Sequence, residues 1–342
     1  MTHCRRVICF AVALVSFACD RSTAPNASED ATGPLFAAGP GRFRSFRVPS
    51  DNSQPRHITL GQDGNMWFTE SRLDFGKIGR IDARGRIIEF NVPNASSQPD
   101  DLVSGADGAL WFTGPSGFPD FFIGRVTTDG QFTGFAPECD PLGGCSIVPQ
   151  GITSGPDGNI WFTERLRNAV VRLTPAGEFT FFIIPTPGAN PSGITAAPDG
   201  TLWFSEFNAN AIGRIDVAGN ITEFPGVTGS PDRITAGPDG NLWFTEPFPF
   251  DRRIGRITPG GVITEFQLPN GSQPRDIVTG PDGNLWFTDY GAGQLSQITP
   301  DGVVTPVANV RGGPWGIARG GDATIWLTQI DGNRVGRFTF TP

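Results

Sequence analysis

From about residue 42 to the C-terminus, short apolar runs alternate with clusters of turn-forming residues. The pattern is clearest between Arg233 and Phe266. Arg233-Ile234-Thr235-Ala236 reads as a strand, and Pro238-Asp239-Gly240-Asn241 as a turn, because Pro presets one backbone angle and Gly accepts a positive one. Leu242 to Thr245 is a second strand. After a variable loop, Ile254-Gly255-Arg256-Ile257 makes a third, and Pro259-Gly260-Gly261 turns the chain into a fourth, Val262 to Phe266. Each run is too short for a helix and bounded by turn residues. The decapeptide Gly237 to Glu246 recurs almost unchanged at Gly155 to Glu164 and Gly280 to Asp289. Looser copies start at Gly61, Gly105, Ala197 and Gly320. Its Trp falls at positions 67, 111, 161, 203, 243, 286 and 326, with spacings of 44, 50, 42, 40, 43 and 40 residues. A period of this size marks a solenoid or a propeller. Four strands in each of seven units predict an all-β, seven-bladed β-propeller over residues 42–342, with the Trp as packing residues between blades.

The ends of the repeat suggest how the ring closes. The last unit stops after its third strand, Val335-Gly336-Arg337-Phe338. An unpaired segment, Phe43 to Pro49, precedes the first unit and aligns with the fourth-strand stretch Ile263 to Pro269. The N-terminal strand is therefore expected to complete the last blade and remove the edges of an open ring.

Upstream, Arg5 and Arg6 precede the apolar run Val7 to Phe17, which has the length of a signal-peptide core and is too short to span a bilayer. Ser16-Phe17-Ala18 offers small residues for cleavage, and Cys19 follows as in a bacterial lipobox. Residues 1–18 are expected to be a signal peptide. Residues 19–41 read as a flexible tether with a candidate lipid anchor at Cys19, which places the protein outside the cytoplasm. Cys139 and Cys145 lie in the insertion of the longest unit. In an exported chain they read as a loop disulfide, since a redox or metal pair would want closer spacing or a nearby His.

Composition sharpens the class rather than the function. The 46 Gly and 31 Pro fit many tight turns, and the net charge of −8 with a single Lys, Lys77, argues against nucleic acid as a partner. A monomer is expected, touching a membrane only through the N-terminal lipid.

Strand reversals place the Pro-Asp-Gly turns on one face of the disc. The loops after the second strand and the connections before the first lie on the other, the top. Two residue classes are expected to converge there. One closes the second strand: Glu70, Gly114, Glu164, Glu206, Glu246, Asp289 and Gln329. The other follows the Pro before the first strand: Arg56, Asp100, Gln150, Ser192, Asp232, Arg275 and Trp315. Together they predict an acidic mouth. Crowded carboxylates attract a divalent cation, Mg2+ or Ca2+, with Glu246 and Asp289 as its candidate ligands. Alternatively, each Glu pairs with the third-strand Arg of its blade, Arg80, Arg172, Arg214 or Arg256. Phe118, Phe121, Phe122, Phe248, Phe250, Tyr290 and Trp315 would give the rim an aromatic wall, unless these loops pack only on one another. The candidate ligand-binding residues are Asp100, Asp232, Arg275, Trp315, Tyr290 and Phe248. After export the only His is His57, either a rim residue or a general base. No metal-binding His cluster and no phosphate loop is present in the sequence.

The repeat Pro-x-Gly-Ile-Thr, Gly-Pro-Asp-Gly-Asn-Leu-Trp-Phe-Thr-Glu, Ile-Gly-Arg-Ile, Ile-Thr-Glu-Phe resembles that of the virginiamycin B lyase (streptogramin B lyase) family over residues 42–342. The resemblance implies a seven-bladed propeller that linearises a cyclic depsipeptide antibiotic by Mg2+-dependent elimination. It also implies catalytic His residues in a Pro-His-x-Ile pattern entering the last two blades, with a metal-binding Glu two residues before the final His. Here those segments read Pro274-Arg275-Asp276-Ile277 and Gly313-Pro314-Trp315-Gly316-Ile317. Arg275 and Trp315 stand at the His positions and Gly313 at the Glu position. Arg is no base near neutral pH, and Trp carries no basic group. The expectation is an exported module that binds a small molecule or peptide. One alternative is a Mg2+-dependent lyase or hydrolase using carboxylates such as Glu246, Asp289 and Asp232, and another is a protein-interaction scaffold.

Overall fold

A computed structural model describes residues 41–72, 76–93, 98–114, 123–138, 147–247 and 252–341. The signal, tether and lipid-anchor expectations (Cys19), the Cys139–Cys145 pair, and Phe118, Phe121, Phe122, Phe248 and Phe250 lie outside the described residues. The chain forms seven four-stranded antiparallel sheets arranged as propeller blades. In six of them the strands lie side by side in chain order. In the seventh, Gly41–Arg47 is the outermost strand, beside Arg334–Phe340, Thr324–Gln329 and Pro314–Arg319. Gly41 stands opposite Phe340 and Arg47 opposite Arg334, so the two ends of the described chain share one blade.

Successive side chains of a strand point to opposite faces, and the decapeptide uses both. Trp67 packs on Leu102, Leu110 and Phe112 of the following blade, while Phe68 packs on Phe46, Val48 and Trp326 of the preceding one. The Phe ring needs a third-strand residue without a side chain beneath it: a Cβ on Gly79 would lie 2.1 Å from Phe68 Cζ. The turn Asp anchors the indole. Trp67, Trp161 and Trp243 donate to Asp63, Asp157 and Asp239 at 3.0, 3.0 and 3.1 Å, whereas in the fourth and seventh blades Thr201 and Thr324 accept that bond.

The ninth residue of the motif ties each blade to the next. Thr69, Thr113, Thr163, Ser205, Thr245, Thr288 and Thr328 are fully buried. Each hydroxyl accepts an inner-strand amide of its own blade, at 2.9–3.2 Å. In six blades the same hydroxyl donates to an inner-strand carbonyl of the following blade: Asp100, Ser192, Asp232, Arg275, Trp315 and Arg56. The last bond, Thr328 to Arg56, crosses from blade seven to blade one. A belt of seven buried hydroxyls, each accepting an amide and six also donating to the next blade, thus runs around the channel.

The expected Glu–Arg pairing does not form. Register sets Arg80 opposite Trp67 and Lys77 opposite Glu70. The third-strand Arg lies over the Trp of its blade, with Arg80, Arg172, Arg214 and Arg256 at 5.5, 5.7, 5.6 and 5.6 Å from the ring centre. From there Arg80, Arg172 and Arg256 donate to carbonyls of the following blade, those of Thr128, Val217 and Pro300, at 2.9, 3.1 and 2.9 Å. The period of the strand explains this: Arg shares a row with Trp, and the acid sits three residues further along on the opposite face.

Candidate functional site

The inner strands line the channel, and most begin with a β-bulge, as between Pro55 and Ile58 or Pro274 and Ile277. A bulge re-aims side chains at the end of a strand. Here it presents two successive residues per blade toward the top of the channel.

The first of the two is, blade by blade, Arg56, Asp100, Gln150, Ser192, Asp232, Arg275 and Trp315. Arg56 Nη1 donates to Asp100 Oδ1 at 3.0 Å, and Ser192 Oγ donates to Asp232 Oδ1. Across the ring, the Arg275 guanidinium lies 4.5 Å from the centre of the Trp315 ring and 5.3 Å from that of Tyr290. Tyr290 and Trp315 meet edge to face at 5.7 Å, and Tyr290 donates its hydroxyl to Asp331 at 3.0 Å. Arg56 reaches the same indole at 5.9 Å. Burial lowers the Arg275 pKa against the opposing pull of Asp232 and Tyr290. Among the described residues its guanidinium has these ring contacts and no hydrogen bond, and Nε is buried without a partner.

The second of the two residues forms a layer of ionisable groups just beneath, of which the sequence reading singled out His57 alone, as a rim residue or general base, and not Asp101, Arg233 or Asp276. His57, Asp101, Arg233 and Asp276 project there, while Gly151, Gly193 and Gly316 project nothing. A Cβ at those glycines would fall 2.6, 2.5 and 2.3 Å from the neighbouring inner strand's carbonyl oxygen. Asp101 Oδ2 accepts from Arg233 Nη1 at 2.7 Å and from the Ile152 amide at 3.3 Å. Asp276 holds the amides of Ile277 and Ile317 at 2.9 and 3.0 Å. Burial raises the Asp276 carboxyl against the pull of His57 and Arg233. Burial also acts to raise Asp100, but there His57, Arg56 and Arg233 outweigh it and hold that carboxyl below the usual range. Arg233 is driven the other way: burial alone would lower it, and the acids around it, Asp101 first, leave its charge firmly fixed.

His57 is 4% exposed and places Nδ1 2.9 Å from the Asp100 carbonyl oxygen. A carbonyl only accepts, so in the neutral ring Nδ1 carries the proton and Nε2 the lone pair. The layer lines a channel cavity of about 350 Å³ whose wall continues through Thr59, Thr153, Thr195, Val278 and Ala318.

The residues that close the second strand are not at the mouth. Glu70, Glu164, Glu206 and Glu246 are fully buried and Asp289 is 3% exposed. They turn into the seams between blades. Glu164 accepts the amides of Val148, Leu166 and Arg167, and Asp289 those of Gln273 and Ala292. Glu246 lies 3.8 Å from Arg253. On separate blades, Glu246 facing Arg253 and Asp289 committed to backbone amides, the two do not fit a shared divalent ion. Among the described residues no group of three or more His, Cys, Asp and Glu is placed to hold a metal. The acidic mouth of the sequence reading thus reduces to Asp100 and Asp232, balanced by Arg56 and Arg275.

Burial, reinforced by the facing Glu89, pushes Glu70 up to about 9 from 4.5, and burial with Glu223 pushes Glu206 up to about 8. Glu70 therefore holds its proton more tightly folded than unfolded. Its contribution to stability is complete below pH 4.5 and is lost as pH rises toward 9. In buffer free of divalent ions, the urea midpoint should fall between pH 6 and pH 9. Glu70→Gln, permanently uncharged, should flatten that fall.

Comparison with known proteins agrees with this architecture. The sequence model of the virginiamycin B lyase family matches residues 36–246 and 225–341. A streptogramin B lyase structure is 33% identical with a TM-score of 0.77, covering 88% of this chain and 98% of that one. Selenomethionine-substituted virginiamycin B lyase from Staphylococcus aureus is 33% identical with a TM-score of 0.78, covering 88% of this chain and 100% of its own. A catalytically inactive His-to-Ala variant of the S. aureus lyase, crystallised with quinupristin, gives 34%, 0.78 and the same coverage. No curated protein sequence matches significantly. With both parts of the family model spanning the propeller, the chain belongs to the virginiamycin B lyase family.

Proposed function

We propose that this protein is an exported ligand-binding propeller whose top mouth holds a small molecule or peptide, and that it does not carry out the family's Mg2+-dependent elimination. The observation that carries the reading is the Arg275 guanidinium, stacked on Trp315 and edged by Tyr290, with no hydrogen bond or ion pair among the described residues. A planar cation held by rings and facing an open rim is suited to a carboxylate or carbonyl oxygen of a ligand, while the indole takes an apolar or aromatic group. A proton-abstracting base is what these two positions lack. A relative crystallised with quinupristin supports a ligand of cyclic-peptide size. The N-terminal Arg pair, apolar run and Cys19 support export and lipid anchoring.

Titration calorimetry of the purified protein with quinupristin tests the site. Binding is expected, and Arg275→Ala should weaken it by about tenfold or more, the loss of one charge-assisted contact. Equal affinity of variant and wild type would remove the mouth as the site.

A further inference from the structure

Three blades carry a second-strand Glu and a fourth-strand Glu on the same face of the sheet, and two of them supply a cation. In blade one Glu89 faces the Glu70 carboxyl. Lys77, directly across the strand pair from Glu70, brings its ammonium to Glu89 Oε2 at 3.3 Å and to Ser50 Oγ at 2.5 Å. In blade five Arg253 stands across from Glu246, 3.8 Å from its Oε2, and donates to Thr228 Oγ1 at 2.7 Å. Thr228 in turn donates its amide and hydroxyl to Glu265, both at 2.7 Å.

Blade four repeats the acids without the base. Glu223 stands across from Gly213, as Glu89 does from Gly79 and Glu265 from Gly255. The residue across from Glu206 is Ala211. Glu206 is fully buried, and apart from the Glu223 carboxyl that faces it no group among the described residues reaches either of its carboxyl oxygens. Glu223 accepts one bond, from the Thr186 amide to Oε1 at 3.1 Å, and its Oε2 accepts none there. Its side chain is half-buried, which leaves the pair a route to solvent. Two facing carboxyls with no countercharge are costly in a seam of this kind.

We propose that the Glu206–Glu223 seam binds a divalent, oxygen-seeking metal cation in the place that Lys77 and Arg253 fill in blades one and five. Both oxygens of Glu206 and Oε2 of Glu223 are the protein ligands, and water completes the shell, as hard cations with few protein ligands require. One divalent ion balances the two carboxylates. The site lies in the blade seam, apart from the channel and from the rim described above, and its role is to lock blade four onto the connection from blade three through Thr186.

The test is thermal unfolding of the chelator-treated, purified protein at pH 8 in CaCl2, MgCl2 or choline chloride of matched ionic strength. With about 10 mM of at least one divalent salt the wild-type midpoint should rise by about 2–4 °C over choline. Glu206→Gln should abolish the rise. Ala211→Lys, which copies blade one, should abolish it too and should melt higher than wild type in choline, because the countercharge is built in. A wild-type midpoint equal in all three salts overturns the proposal. A metal response that survives in Glu206→Gln also overturns it, since the ion would then sit elsewhere.

Discussion

Replacing Trp243 by Ala is expected to cost about 3–5 kcal/mol, a large part of the roughly 5–15 kcal/mol that holds a folded domain together. The indole is fully buried and packs across the seam on Leu285 and Phe287 of blade six. It stacks on Phe266 at 5.5 Å, carries Arg256 over its face at 5.6 Å and donates to Asp239 at 3.1 Å. Truncation removes the ring from between two blades and leaves a cavity bounded by rigid sheets, which cannot collapse to fill it. It also strips Arg256 of its aromatic support and Asp239 of a donor. Urea denaturation with the slope held constant measures the loss. A change below about 1 kcal/mol would mean that the blades do not depend on the repeat's Trp.

A comparable loss is expected for Arg233→Met, for an electrostatic reason. Met replaces the volume but leaves Asp101 without its 2.7 Å partner and removes the positive charge that acts on Asp276, Asp232 and Asp100. Removing one member of a buried ion pair costs about 3–5 kcal/mol, because the other charge stays behind uncompensated. The sign of the pH dependence follows. Without the guanidinium, the carboxyls of the layer are raised in the folded state, so they favour folding while protonated and lose that contribution as pH rises. The deficit of the variant should therefore be larger at pH 7.5 than at pH 5. A deficit independent of pH would show that Arg233 acts through packing alone.

Much of the fold is legible in the sequence because the repeat states it seven times. Turn residues, strand length and the Trp period each point to four-stranded blades, and Phe43 to Arg47 of the stray segment lie in the outermost strand of the seventh blade. The site is less legible, and the reason is geometric. Counting strand reversals groups Arg56, Arg275 and Trp315 at one end of the disc, and in the structure both guanidinium groups lie over the Trp315 ring. It does not tell which face of the sheet a terminal residue takes. Glu164 and Asp289 end their strands at the top yet turn sideways into seams, where loop amides hold them. Conversely, the bulge at the start of the inner strand turns one further residue into the channel. His57, Asp101, Arg233 and Asp276 thereby become its charged layer. Only one signal in the sequence points there: that column, one place after the rim position, holds an ionisable residue or Gly in every blade. The Thr–Ser belt went unread for a similar reason, since a Thr inside an apolar strand looks like a β-former rather than a hydrogen-bonded link between blades.

The most direct test of the account is incubation of the purified protein with a streptogramin B antibiotic, with and without Mg2+, followed by mass spectrometry of the ligand. The elimination breaks one bond of the ring without change of mass, so the linear product is distinguished by its chromatographic shift and fragmentation. The account predicts that the cyclic form is recovered intact in both conditions. Mg2+-dependent accumulation of the linear form would contradict it, and would require a base among groups other than Arg275 and Trp315.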